Sequence, residues 1–97
     1  MSFVQVVEFR TSDLDAVRQA DEGWRRASEG KRTVRREILA ADRNQPGRYF
    51  AIVFFDSYES AMENSNLPET AEFGHKQNAL LDAPMAFTDL DVVEDQS

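Results

Sequence analysis

The 97 residues carry 18 acidic against 11 basic side chains, a formal net charge of −7, with no cysteine and one histidine. These counts exclude disulfides, thiolate chemistry and a structural zinc site, and the negative charge opposes contact with a phosphate backbone. A chain of this length forms one domain, 1–97, with a modest core, so a homodimer would add useful buried surface.

In chain order, FVQVVEF (residues 3–9) is short and rich in Val and Phe, and reads as a strand. The start lacks the basic head and small-residue cleavage site of a signal peptide, and no run of about 18 apolar residues occurs, so a cytoplasmic protein without a membrane span is expected. Thr11 or Ser12 offers an N-cap, with Asp13 and Asp15 in the first turn where the helix dipole favours acids. That helix is expected to run to about Ser28 and to stop at Gly30. TVRREILAAD (33–42) reads as a strand with polar residues on it. Its basic cluster, with Arg25 and Arg26, is either a solvated strand edge and helix end or a patch for an anionic ligand.

NQPG (44–47) has turn chemistry, and RYFAIVFF (48–55) is apolar on both faces, as suits a central strand. Asp56 or Ser57 caps a second helical region, which NSNLP interrupts because a proline disfavours helix at the residue before it. Helix resumes at Pro68 and continues to about Leu81. After a DAP turn, MAFTDLDVV (85–93) is the last strand and EDQS a frayed acidic tail.

The order β-α-β-β-α-β is that of the ferredoxin-like α+β fold, an antiparallel sheet with both helices on one face. Its first and third strands are central, and these are the two most apolar strands here. Val4 and Val6 alternate with Phe3, Val7 and Phe9, so both faces of the first strand are largely apolar. One layer of helices covers only one face, and a second copy of the sheet, face to face, would cover the other.

The strand FVQVVEF, the junction YFAIVFFDSYESAMEN, the broken second helix with NLPET and the closing FTDLDVV together resemble the dimeric α/β-barrel superfamily, in its antibiotic-biosynthesis-monooxygenase-like branch. The resemblance implies a homodimer with a ligand cavity between helices and sheet. Charge, hydropathy and the residue counts lead to no expected nucleic acid, membrane, metal or cofactor. The group includes cofactor-independent oxygenases of polycyclic phenols, haem-degrading enzymes, isomerases and proteins with no known reaction. The haem-degrading members use an Asn, a Trp and an iron-ligating His. The corresponding positions here are Gln5, Asn64 or Ser65, and about Phe73.

Among the candidate residues, Asp21 stands out. Leu14, Val17, Ala20 and Trp24 form the apolar stripe of the first helix, and Asp21 falls on it. It sits hydrated at the margin, pairs with an arginine, or occupies an apolar pocket that would raise its pKa and suit it to proton transfer. Gln5 shares a face with Phe3, Val7 and Phe9, where a buried amide needs partners and could orient a ligand carbonyl or phenol. Trp24, Phe73, Phe50 and Phe54 are candidate walls of an aromatic pocket as well as ordinary core residues. Asp89 and Asp91 share one face of the last strand, where paired carboxylates can serve acid–base work or guard a sheet edge. His75 lies roughly 200° around its helix from Phe73 and is expected to face solvent. The residues thus leave open an oxygenase-like enzyme for an aromatic or polyketide-like substrate and a non-catalytic ligand-binding or interaction protein. A haem-degrading enzyme is the least supported.

Overall fold

The computed structural model describes residues 2–97. The elements are β1 (Phe3–Arg10), α1 (Leu14–Ala27), β2 (Arg36–Ala41), β3 (Arg48–Phe55), α2 (Tyr58–Ser65), α3 (Pro68–Asn78) and β4 (Ala86–Asp91). The strands form one antiparallel sheet in the order β2-β3-β1-β4. This is the ferredoxin-like arrangement, with β1 and β3 central. No helix among the described residues is long and apolar enough to cross a membrane.

Several boundaries move for local reasons. Asp13, rather than Thr11 or Ser12, caps α1, its side chain accepting the Ala16 N–H at 3.1 Å. The Thr11 hydroxyl is already engaged, donating to the Leu80 carbonyl at 2.8 Å and accepting the Asp13 N–H at 3.0 Å. Residues 33–35 precede β2 rather than belong to it. Thr33 is drawn toward α2, its N–H donating to Asn64 Oδ1 at 3.3 Å and its hydroxyl to the Ser60 carbonyl at 2.5 Å. Ser57 caps α2 by accepting the Ser60 N–H at 3.0 Å. Leu67 is extended (φ −66°, ψ 136°) and Pro68 opens α3, so the proline break falls where the sequence places it. At its other end α3 stops at Asn78, short of Leu81.

The register assigns each strand residue to a face. Odd-numbered residues face the helices in three successive rows across the sheet: Glu37–Val53–Gln5–Asp89, Leu39–Ala51–Val7–Phe87, and Ala41–Tyr49–Phe9. The dense core lies at one end, where Phe3 and Phe55 pack with Ala61 of α2 and with Val34, Val53 and Met62. Toward the other end α1 and α3 pack on each other through Trp24 and Phe73, leaving space above the sheet. Even-numbered residues, among them Val4, Val6, Ile38, Phe50, Ile52, Phe54 and Leu90, form the opposite face, which no helix covers.

Phe50 and Phe54 therefore do not wall the cavity. Each lies on the outer face, with the Arg48 guanidinium 4.8 Å from the Phe50 ring centroid and that of Arg36 5.8 Å from Phe54. β3 is apolar on both sides, so alternation alone carries no information about which side is inward.

Candidate functional site

Between helices and sheet lies a cavity of about 910 Å³. Its floor is built from the three rows above, Asp89 excepted, and its roof from α1 and α3. The floor is apolar at its centre (Val7, Ala51) and polar along one row (Glu37, Gln5). Leu39 and Phe87, at the two edges of the floor, remain 42% and 59% exposed, so large apolar surface faces open space rather than packed side chains.

Trp24 anchors the roof. The residue is 7% exposed, and its ring stacks on Phe73 with centroids 5.7 Å apart and donates its indole N–H to Thr70 Oγ1 at 3.0 Å. Arg32 lies 5.9 Å from the Trp24 centroid and donates to the Arg25 carbonyl at 2.6 Å. Trp24 and Phe73 both line the cavity, as expected for them, and neither fills it.

Asp21 hangs from the same helix into the cavity. Arg25, one turn on, contacts it at 3.0 Å (Nε to Oδ2). Two of the sequence alternatives thus hold together: an arginine partner and a partly buried pocket position. The sequence reading missed the second member of this cluster, Glu37 of β2. Its carboxyl is within hydrogen-bond reach of Asp21, and Arg25 Nη2 stands 3.9 Å from Glu37 Oε1. Burial, followed by the neighbouring Asp21 charge, pushes Glu37 up to about 7. Burial also raises Asp21, against the pull of Arg25. The signal for Glu37 was the alternation Glu37–Leu39–Ala41, which puts it in line with inward apolar residues once the register is known.

Gln5 lines the cavity floor and donates from Nε2 to Asp89 Oδ1 at 3.1 Å. Asp89 and Asp91 are exposed on the edge strand β4, and Asp89 acts as a partner to Gln5 rather than to a second acid. His75 is exposed and does not line the cavity. Phe73 lines the cavity, and buried Asn64 accepts the Thr33 N–H. Among the described residues no three His, Asp or Glu side chains converge to hold a metal ion.

No protein-family model matches the chain, and no curated protein sequence does. Solved structures do. A Caulobacter crescentus CB15 protein with the provisional name antibiotic biosynthesis monooxygenase superposes with a TM-score of 0.82 at 10% identity, covering 96% of this chain and 91% of that one. Rv0793 from Mycobacterium tuberculosis gives 0.80 at 16% identity, with both chains covered in full. A similarly named Chloroflexus aurantiacus J-10-fl protein gives 0.76 at 15% identity, over 100% and 98% of the two chains. The chain has the fold of these structures. At such identities the likeness concerns the backbone, and the chemistry must be argued from this chain's own cavity.

Proposed function

We propose that the cavity is a binding site for a small aromatic molecule, a phenol or polyketide-like compound, and that the protein acts on it as a cofactor-independent, monooxygenase-like enzyme. The observation that carries this reading is an unfilled cavity whose floor is apolar at its centre (Val7, Ala51), with an aromatic roof at Trp24 and Phe73 and with Glu37 and Gln5 together in one row of the floor. In a purely structural domain Trp24 and the phenylalanines would fill that space. Gln5 would orient a polar group of the ligand, and Asp21 would take part in proton transfer. The monooxygenase-like names of structural neighbours add weight to the class of reaction. The exposed position of His75 counts against haem ligation in the cavity. We further propose that two copies meet through the uncovered sheet face.

The test is a fluorescence titration at Trp24 with a polycyclic phenol, alongside oxygen uptake. A saturable change that Ala51→Phe abolishes by filling the floor is expected, with oxygen consumed only when the phenol is present. Binding without oxygen uptake would leave a ligand-binding protein that is no oxygenase. Absence of binding would remove the cavity from consideration as a site.

A further inference from the structure

Asp21 and Glu37 come from elements far apart in the sequence and meet at the cavity wall, each side chain only about one-fifth exposed (20% and 19%). Two carboxyl groups within hydrogen-bond reach cannot both remain fully ionised without strong repulsion, so they share a proton across part of the pH range. Arg25 is nearer to Asp21 (3.0 Å) than to Glu37 (3.9 Å). The anion is thus held on Asp21, and the labile proton falls to Glu37. Arg32, from the segment after α1, also acts on the pair, while Asp15, Arg18 and Glu22 of α1 line the same cavity and Asp89 of β4 ends the row beyond Gln5. Opposite them, β3 and β1 contribute only the uncharged Val53 and Gln5 of the same row. With two arginines near two acids the site is close to neutral, so a cationic ligand gains little there, whereas a neutral hydroxyl finds a strong acceptor.

We propose that Asp21 and Glu37 form a shared-proton carboxyl pair that receives the hydroxyl proton of an aromatic ligand bound on the cavity floor, with Glu37 as the acceptor and Asp21 and Arg25 positioning it. The proposal rests on the cavity being a ligand site. In the transfer the ligand O–H bond breaks, its electron pair stays on the ligand oxygen, and a new O–H bond forms on Glu37. The pair is suited to this step because an acceptor works best when its own ionisation lies near the working pH. Burial and the Asp21 charge hold Glu37 in that range.

The experiment compares 2-naphthol with its methyl ether, which has the same ring system and no hydroxyl proton, across pH 5 to 8 by Trp24 fluorescence. The wild-type protein is expected to lose affinity for 2-naphthol by about tenfold per pH unit below the Glu37 midpoint, as one-proton linkage requires, while the ether binds independently of pH. Glu37→Gln should flatten the 2-naphthol profile. Asp21→Asn removes the neighbouring charge and should move the midpoint to lower pH, a shift that a merely structural role for Asp21 would not produce. A flat wild-type profile with the ether still bound would overturn the proton pair and leave the cavity reading intact. If neither compound binds, both readings fall.

Discussion

Glu37 has a cost that can be measured without any ligand. Its carboxyl ionises at 4.5 under ordinary conditions and at about 7 in the folded chain. Between those values the folded state retains a proton that the unfolded state has released. Stability therefore falls as pH rises through that window, and the full penalty is present above about 7. Glu37→Gln removes the ionisation and should raise unfolding free energy at pH 8 by on the order of 2 kcal/mol. The gain should disappear by about pH 4, where both forms of the wild type are protonated. Urea titrations at the two pH values check this, and a pH-independent difference would contradict a buried, proton-sharing carboxyl. A stabilising substitution at a cavity residue is also what a site maintained for function rather than for folding would show. Thr70→Val makes the opposite case. It strands the Trp24 indole N–H, now 3.0 Å from the Thr70 hydroxyl, and should destabilise by about 1–2 kcal/mol in the same assay. At this scale the sequence was informative only where a residue broke a pattern. Asp21 interrupts an apolar stripe and is conspicuous. Glu37 sits beside Arg35 and Arg36, where an acid looks like part of a solvated edge, and only its strand pairing reveals that it points inward.

The elements themselves were mostly legible, because turn and cap chemistry is local. The proline at 68, the Gly30 stop (φ +79°) and the Asn-Gln-Pro-Gly turn all act within a few residues. Strand parity is not legible in β3, which is apolar on both sides after Arg48, and so the sequence does not show that Phe50 and Phe54, candidate pocket walls, lie on the outer face. What fixes that parity is the β2–β3 turn and its anchor to β1. Gly47 has φ +86°, and its carbonyl accepts the Thr11 N–H at 3.0 Å. A methyl group there would stand 3.4 Å from the Thr11 carbonyl oxygen, in a conformation that L-residues adopt at a cost of about 1–2 kcal/mol. Gly47→Ala should lower stability by about that amount, seen as a shift in the thermal midpoint. The consequence reaches the site, since a one-residue slip of β2 against β3 would turn Glu37 to the outer face. The variant should therefore also broaden or lower the Glu37 titration if the turn relaxes instead of straining. An unchanged midpoint and an unchanged titration together would show that the turn does not set the register.

At the scale of the molecule, the outer sheet face is an apolar surface that no helix covers. Its central row is Thr88–Val6–Ile52–Ile38, flanked by Leu90–Val4–Phe54–Arg36, in which Leu90 is 46% exposed. The Arg48–Glu8 and Arg48–Asp42 pairs, at 2.9 and 2.7 Å, lie toward one end of that face and leave its centre apolar. A face about as long as the sheet, on a molecule measuring 35 × 32 × 20 Å, can bury roughly 600–1,000 Å² per partner, the range of a stable protein interface. A second copy is the occupant that requires no other molecule, and two such faces would present equivalent apolar rows to each other. Ile52→Arg places a charge in the middle of the row. In an isolated chain this side chain already meets water and the long arginine stem can lie along the sheet, so the fold should survive, with helix content by circular dichroism unchanged. In a face-to-face pair it would bring two unpaired charges together in a desolvated interface, at a cost of several kcal/mol. Sedimentation at micromolar concentration should then find the wild type at the mass of two chains and Ile52→Arg at the mass of one. A single-chain wild type would leave the face without its partner, and a two-chain Ile52→Arg would place the contact elsewhere on the surface. The cavity lies on the other side of the same sheet, so 2-naphthol binding should persist in the single-chain variant, which separates the contribution of assembly from that of the site.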